Sequence, residues 1–353
     1  MVKGSYKGTN SPVWLNNYLQ KQKSTFLDII GKLAENRQLV GLTNNDLKEH
    51  LVGKKQEYDF FSYSEKIIED LKTAGKIGNA NCYQITLNVV KKFHKTSSLP
   101  FYQITYAYLE KLETYHFAKG NSINSLSVYM RTIRAIYNRA IKEGVISGDS
   151  YPFNNYKVKN TPTSKRAIAF DSIKEIEALE FAKEDNMFHT RNYFLMSFYL
   201  MGISFIDLAH LKKTDIIDGR ISFSRQKTHK VYEMVVTEKA KKILDYYLST
   251  VTSEYIFPII SKNDPIEVYN QVRDARKRFN KRLKKIATLC GIEKNLTSYV
   301  SRHSFATLAK NKGIPITAIS EMLGHESLKT TQVYLDSLPS DMIDKYHRDI
   351  LGE

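Results

Sequence analysis

The chain has 353 residues, a length that predicts two or three domains rather than one. Hydrophobic residues make up 42% of it, enough for sizeable cores, yet no stretch offers the roughly 18 consecutive apolar residues that a membrane span needs. Because 53 Lys and Arg stand against 37 Asp and Glu, the formal net charge is +16, and nucleic acid is the expected partner; a merely basic surface is the alternative.

Residues 1–55 are predicted to be helical. Trp14, Tyr18, Phe26 and Leu33 belong to an apolar pattern with helical spacing, and Thr43 opens a second helix with polar residues at its start. We interpret this segment as a helical connector or the remnant of an arm-binding region.

Residues 56–150 predict an all-helical domain, because four successive apolar patterns repeat at helical spacing. Basic side chains accompany the apolar positions of the last helix, an arrangement suited to contact with a DNA backbone. They are Arg131, Arg134 and Arg139. A solvated helix face is the alternative.

Residues 151–168 are rich in Pro, Asn, Thr and basic residues and predict a linker. Its cations would let it follow a phosphate backbone, whereas a plain solvated linker would have the same composition. They are Lys157, Lys159, Lys165 and Arg166.

Residues 169–353 predict a second, mostly helical domain, with helices at 173–182 and 191–200 and a β-hairpin at 220–236. The stretch 271–290 carries eight Lys or Arg on a predicted helix. We interpret it as a phosphate-contacting helix, with a solvated face as the alternative. Its candidate DNA contacts are Arg276, Arg278 and Arg282.

Other chemistries find little support in the sequence. Cys82 and Cys290 are the only cysteines, so we expect reduced, half-buried packing residues rather than a disulfide framework or a thiolate cluster. Neither metal-ligand spacing nor a glycine-rich phosphate loop occurs, so no metal and no cofactor are expected. No export signal opens the chain, and we therefore expect a cytoplasmic protein.

Four phrases in the second domain carry a resemblance. SYVSRHSFATLA at 298–309, LGHESLKTTQVYLD at 323–336, KTHK at 227–230 and MGISFIDLAHLK at 201–212 resemble, in order and spacing, the catalytic boxes of the tyrosine recombinase (phage integrase) family. Residues 58–159 are similar to the helical core-binding domain of that family. The resemblance implies a mainly α fold with a small β-sheet, in which a core-binding and a catalytic domain close around duplex DNA.

The family resemblance implies a site-specific recombinase, an integrase that inserts and excises a mobile element through a 3′-phosphotyrosine intermediate. It also implies four protomers on two duplexes, with residues from about 341 packing on a neighbouring subunit and DNA-bending or excision factors as accessory partners. The alternatives are a relative that binds DNA without cutting it and a type IB topoisomerase. A helix-turn-helix regulator would fit the charge but would leave the ordered phrases unexplained.

The resemblance also assigns roles. Tyr334 matches the nucleophile, while Arg302 and His325 match groups that hold the scissile phosphate. Lys227 matches the hairpin lysine that protonates the leaving oxygen, with Lys230 as its rival.

Two positions depart from the family pattern. Ser204 stands where the first catalytic arginine belongs, and Tyr299 stands where a histidine precedes the second arginine. A hydroxyl group cannot neutralise phosphate charge, so we expect another cation to compensate. Arg191 is the candidate, with Arg220 and Arg225 as rivals. Supporting roles fall to Asp207 and His303.

Overall fold

A computed structural model of the chain describes residues 12–35, 39, 44, 47, 51, 59–148, 151–161, 166–325, 328–332, 347–348 and 350–351. The chain forms two compact units that divide between Thr161 and Pro162. No helix among these residues is long and apolar enough to cross a membrane.

The first unit is built from helices. They are α1 (Pro12–Glu35), α2 (Phe60–Thr73), α3 (Ile77–His94), α4 (Tyr106–Ala118) and α5 (Ile123–Lys142), with short 3-10 turns at Phe101–Gln103 and Pro152–Asn154. The predicted helical domain is thus confirmed for the described residues, as is the helix predicted around Trp14. The second N-terminal helix, predicted from Thr43, falls largely outside the described residues.

Apolar stripes and polar caps explain these helices. Buried residues of α2, α3, α4 and α5, among them Ile67, Leu87, Leu109 and Ile136, pack into one core. The side chains of Asp59, Thr105 and Ser122 accept backbone N–H groups at the first turns of α2, α4 and α5.

The first part of the segment predicted as a linker packs against the first unit. Phe153 and Tyr156 are buried in the core of the first unit, and the Tyr156 hydroxyl donates to Glu113. Asn160 accepts a hydrogen bond from Ser127 at 2.5 Å. Two aromatic side chains therefore attach residues 151–161 to the helical unit, a contact that the polar composition of the segment did not reveal.

The second unit is mostly helical and contains one described sheet. Its helices are α6 (Phe170–Ala178), α7 (Asn186–Tyr199), α8 (Phe205–His210), α9 (Glu238–Thr250), α10 (Pro265–Leu289), α11 (Val300–Asn311), α12 (Ile316–Leu323) and α13 (Leu328–Gln332). Its strands are β1 (Ile216–Ile217), β2 (Arg220–Ser224) and β3 (Val231–Val235). This combination confirms the predicted mainly α fold with a small sheet.

The sheet is antiparallel, in the order β1-β2-β3. Ile221 and Phe223 alternate with exposed or half-buried residues along β2, and Ile221 pairs with Met234 of β3, which is also buried. The hairpin predicted at 220–236 is therefore confirmed. Its closing turn starts at Arg225, whose backbone N–H donates to the Lys230 carbonyl at 3.0 Å.

Both cysteines are unpaired and half-buried, as expected for packing residues. Cys82 of α3 lies with its sulfur 3.7 Å from the Thr132 hydroxyl, and Cys290 ends α10. Burial raises the pKa of the Cys290 thiol, which keeps it protonated and unreactive near neutrality.

Candidate active site

Arg302 is the buried centre of the site. It lies on the first turn of α11 with only 4% of its surface exposed. Its Nη1 donates to the Gly202 carbonyl at 2.8 Å, and its Nη2 donates to the Leu323 carbonyl. These bonds join three segments that are far apart in sequence, the turn after α7, α11 and the end of α12.

Gly202 makes the approach of Arg302 possible. Its φ is +72°, and a Cβ atom built there would lie 2.9 Å from the Arg302 Cα and Cγ atoms. A contact that close does not occur between real Cβ atoms and carbon neighbours, so a side chain would displace the arginine. The absence of a side chain at Gly202 thus allows Arg302 to pack against this turn.

His325 meets Arg302 from the end of α12. Gly324 ends that helix with a left-handed φ of +67°, and the His325 N–H donates back to the Ser320 carbonyl at 2.9 Å. This tight turn presents the imidazole to the site. The Nε2 atom lies 3.1 Å from the Arg302 Nη2, and Nδ1 lies 2.8 Å from the Thr331 hydroxyl of α13.

The tautomer of His325 follows from its partner. A guanidinium can only donate hydrogen bonds, so Nε2 must accept the bond from Arg302 and the ring proton must sit on Nδ1. Burial, followed by the charges of Arg302 and Arg225, lowers the pKa of His325 from 6.5 to about 4. The imidazole is thus neutral at pH 7 in the DNA-free protein.

Asp207 links the first box to the hairpin. It is 3% exposed on α8, and its Oδ2 accepts from the Ser204 hydroxyl at 2.8 Å and from the Arg225 Nε at 3.2 Å. Its Oδ1 accepts the Gln226 backbone N–H at 2.9 Å. One buried carboxylate therefore binds the Arg225 side chain and the backbone at the base of the hairpin turn.

Ser204 caps α8. Its side chain accepts the Asp207 backbone N–H at 3.3 Å while its hydroxyl proton goes to the Asp207 carboxylate. The hydroxyl at the position where the family resemblance predicts the first arginine is thus engaged in capping.

Arg225 enters the same site from the hairpin. Its Nη1 donates to the Gly324 carbonyl at 3.2 Å and to the Leu323 carbonyl at 3.5 Å. Its guanidinium carbon also lies 5.8 Å from the centre of the Tyr232 ring. A salt bridge, two carbonyls and an aromatic ring therefore hold this cation beside Arg302.

Tyr232 occupies space that Gly324 leaves open. A Cβ atom at Gly324 would lie 0.8 Å from the Tyr232 hydroxyl oxygen, so only glycine is compatible with this packing. Tyr232 also stacks on Phe223 across the hairpin, with ring centres 5.7 Å apart. Sequence reasoning missed Tyr232, because no local motif surrounds it.

Tyr299 and His303 form a pair at the start of α11. Tyr299 is 40% exposed, and its ring centre lies 5.0 Å from that of His303. Burial, with smaller contributions from Arg166 and Arg302, lowers the pKa of His303 from 6.5 to about 4. The structure thus keeps this imidazole uncharged at pH 7 next to Tyr299, at the position where the family resemblance predicts a histidine.

The hairpin turn carries the candidate proton donor. Lys227 is exposed on this turn, and its rival Lys230 is exposed with its amine 5.9 Å from the Tyr232 ring. Tyr334 and Lys165 lie outside the described residues.

Two of the candidate compensating cations are engaged elsewhere. Arg191 lies inside α7, where it donates to the Leu179 carbonyl and to Asn192 and covers the Phe188 ring at 5.2 Å. Arg220 forms an exposed ion pair with Glu233 on the neighbouring strand. Arg225 is the candidate that the structure places beside Arg302.

The predicted DNA contacts of the first unit differ in their surroundings. Arg134 of α5 is exposed, as are Lys157 and Lys159. Arg131 donates to the Ser127 hydroxyl at 2.8 Å and to Asn160 at 3.2 Å. The guanidinium of Arg139 pairs with both Asp70 and Glu143. Arg139 therefore ties α5 to α2, which is a structural contact.

The basic helix predicted at 271–290 is α10, which starts six residues earlier at Pro265 behind the capping Asp264. Val272, Phe279 and Leu283 form its buried face. Arg276 and Arg278 are exposed, and Arg282 is half-buried in a cavity shared with His189. Arg166 is exposed in the second unit.

No group of three His, Cys, Asp or Glu side chains is arranged to hold a metal ion in the parts of the chain that the structure describes. The arrangement around Arg302 instead offers permanent cations and a neutral imidazole. Such groups bind and stabilise an oxyanion.

Known proteins share both units. The Phage integrase SAM-like domain matches residues 59–158, and the Phage integrase family matches residues 171–340. A Tyrosine recombinase of Pseudothermotoga lettingae is 27% identical over 54% of this chain and 64% of its own length. The tyrosine recombinase XerD of Oceanobacillus iheyensis is 27% identical over 65% of this chain and 77% of its own length.

Solved structures show the same fold. A lambda integrase dimer bound to a core site has a TM-score of 0.60 at 15% identity, covering 89% of each chain. The XerH site-specific recombinase bound to its difH substrate has a TM-score of 0.56 at 18% identity, covering 83% of this chain and 86% of its own. Together with the two domain matches, these likenesses show that the chain belongs to the tyrosine recombinase family, the phage integrases, whose members break and rejoin DNA.

Proposed function

We propose that the chain is the integrase of a mobile element and cuts DNA with Tyr334. The observation that supports this most directly is that the side chains of Arg302, His325 and Arg225 meet at the end of α12. His325 precedes Tyr334 by nine residues in the sequence. These side chains form a cationic pocket of the kind that a scissile phosphate requires.

The proposed reaction is a transesterification at phosphorus, in which a tyrosine ester replaces one ester bond of the DNA backbone. The phenol of Tyr334 gives up its proton to solvent as its oxygen attacks phosphorus and forms the 3′-phosphotyrosine bond. The bond to the 5′-oxygen breaks while Lys227 gives that oxygen a proton. Arg302 holds nonbridging oxygens through its planar fork of donors. The energy of the broken ester stays in the protein link, so a second strand can be joined without ATP.

His325 adds a donor once the substrate is present. In the free protein its Nε2 accepts a bond from Arg302. A phosphate that takes over the Arg302 donors would release Nε2, and its negative charge would favour a protonated imidazole that can donate to it. The neighbouring Tyr299 supplies a further hydroxyl at the position of the family histidine.

The nucleophile can be tested with a nicked suicide duplex that carries the junction between the element and its host DNA. The parent protein should become covalently attached to the cut strand, and Tyr334→Phe should abolish that product. Tyr346→Phe, which removes another C-terminal phenol, is the matched control and should leave the product intact. A covalent product that persists in Tyr334→Phe would refute the assignment.

DNA binding and assembly are further parts of the proposal. A solved lambda integrase is a tetramer on a Holliday junction, and its fold resembles this chain with a TM-score of 0.60. We propose a corresponding tetramer on duplex DNA, accessory DNA-bending factors and action in the cytoplasm. Sequencing of covalent joints on the flanks of the gene would identify the site, and joints scattered at random would contradict a site-specific enzyme.

A further inference from the structure

We propose that Arg225 is the phosphate-binding cation that replaces the missing arginine of the first catalytic box. This inference rests on the phosphotyrosine chemistry proposed above and adds one catalytic residue to it. The hairpin, rather than the first box, would then supply the second permanent charge of the site.

The position of Arg225 relative to Arg302 is the first argument. Both guanidinium groups donate to the carbonyl oxygen of Leu323, with the Arg225 Nη1 at 3.5 Å. Groups that reach one oxygen atom can also reach the nonbridging oxygens of one phosphate, since those oxygens belong to a single small tetrahedron. Two cations on one phosphate are what the cleavage step needs for charge stabilisation.

The position of Arg225 relative to Ser204 is the second argument. The Asp207 Oδ2 accepts bonds from the Ser204 hydroxyl at 2.8 Å and from the Arg225 Nε at 3.2 Å. The Arg225 side chain and Ser204, the residue in the first box, therefore bind the same oxygen atom of Asp207. The guanidinium reaches from the hairpin turn to the place where the family arginine would begin.

The local charges are the third argument. Asp207 neutralises one of the two guanidinium charges, and His325 is neutral at pH 7. The site therefore carries a positive charge that the monoanion of a phosphodiester would balance. The Arg225 side chain is 14% exposed, compared with 2% for its partner Asp207, so the guanidinium is the more accessible end of the pair.

Arg225 is also held in place before DNA arrives. The carboxylate fixes Nε, the carbonyl oxygens of Leu323 and Gly324 accept from Nη1, and Tyr232 presents its ring face. Such preorganised donors stabilise developing charge without reorganising during the reaction. Among the described residues, Nη2 of Arg225 donates to no protein acceptor, and it would be the first donor to meet the phosphate.

The test compares two duplexes that differ in one substituent on a single phosphorus atom. One carries the ordinary phosphodiester at the mapped cleavage position, and the other carries a methylphosphonate, in which a methyl group replaces a charged oxygen. Arg225→Ala should form the covalent product about 10²- to 10³-fold more slowly on the phosphodiester. On the uncharged methylphosphonate its rate should return toward the parental rate on that substrate, because no negative charge needs a cation.

Arg220→Ala is the matched control, since it removes an arginine from the same hairpin and leaves an acidic partner behind. It should cleave both duplexes at the parental rate. Arg225→Lys keeps a charge without the planar fork and should fall between Arg225→Ala and the parent. If Arg225→Ala does not fold, Arg225→Gln takes its place in the same comparison.

A variant of Arg225 that cleaves the phosphodiester at the parental rate would overturn the inference. An equal loss on both duplexes would also overturn it, because that result describes a structural residue. These outcomes differ from a failure of the proposed function, in which the parent forms no covalent product or Tyr334→Phe still forms it.

Discussion

Gly202 and Arg302 lie so close that the glycine decides where the arginine can be. In Gly202→Ala the new Cβ atom would meet the Arg302 Cα at 2.9 Å, and the backbone would keep a φ of +72° that L-residues disfavour. We expect a loss of about 2–4 kcal/mol in the free energy of unfolding, from backbone strain plus overpacking. Cleavage of the suicide duplex should fall as well, because Arg302 is displaced.

Gly219→Ala separates these two effects. Gly219 has nearly the same φ, +73°, but a Cβ atom there would meet nothing within 4 Å. It should lose only the strain, about 1–2 kcal/mol, and keep the parental cleavage rate. Equal effects of the two substitutions on urea unfolding and on cleavage would show that the contact with Arg302 is unimportant.

The low pKa values of His325 and His303 predict how stability depends on pH. Both values are about 4, compared with 6.5 for an ordinary histidine, so the folded protein binds fewer protons than the unfolded chain between these values. Their contribution to stability is complete above pH 6.5 and is lost as the pH falls toward 4.

Urea unfolding at pH 7 and pH 5 measures this dependence, and the double variant His303→Gln/His325→Gln should show a weaker one. The charged groups that face the two rings are the guanidinium groups of Arg302, Arg225 and Arg166. An NMR titration that placed both histidines near 6.5 would contradict the prediction. Between pH 7 and pH 8 the two histidines should contribute no change.

The sequence predicted part of this site and not the rest. Arg302 and His325 were predicted together because their motifs are local and ordered. Arg225 was only one of three candidate cations, since its partners Asp207 and Leu323 are 18 and 98 residues away. Contacts at such separations depend on how the hairpin packs against α8 and α12, which no local pattern records.

At the scale of elements, the hairpin is attached to α8 through one buried carboxylate. In Asp207→Asn the charge that holds Arg225 disappears, and a buried cation loses its partner. We expect a loss of about 3 kcal/mol in the free energy of unfolding. Cleavage should also slow, because Arg225 would no longer be held in position.

Glu233→Gln is the control for this attachment, because it removes the acidic partner of an exposed arginine on the same hairpin. Exposed ion pairs contribute about 0–1 kcal/mol, so thermal unfolding should barely change. Should Asp207→Asn prove equally mild, the buried carboxylate would not be the attachment of the hairpin.

The elements themselves were largely predictable, with errors at their ends. The hairpin was found from the alternation of Ile221 and Phe223, and α10 from its apolar face. The start of α7 was placed at Arg191, whereas the helix begins at Asn186 behind the capping Asp185. The signal that marks this start is the Asp185 side chain, which accepts the Met187 backbone N–H of the first turn, and not the apolar pattern.

At the scale of the whole molecule, composition predicts a linker at 151–168, and the division between the two units after Thr161 lies within that range. Phe153 and Tyr156 bind the first part of the predicted linker to the helical unit. Composition indicated a linker because Pro, Asn and Lys dominate the segment, while two aromatic side chains are enough to attach it. This attachment concerns the part of the predicted linker that precedes the division after Thr161.

The net charge of +16 predicts DNA binding that weakens steeply with salt, and α10 offers a way to measure its share. If Arg276 and Arg278 each contact a phosphate, Arg276→Ala/Arg278→Ala should make the slope of log K against log salt concentration less steep by about 0.9 per contact. Fluorescence anisotropy of a labelled duplex between low and physiological salt gives this slope.

Arg139→Ala should leave the slope unchanged and lower stability instead, because its guanidinium already pairs with Asp70 and Glu143. If the slope changes in Arg139→Ala but not in the α10 double variant, the phosphate contacts belong to α5 and the prediction for α10 is wrong.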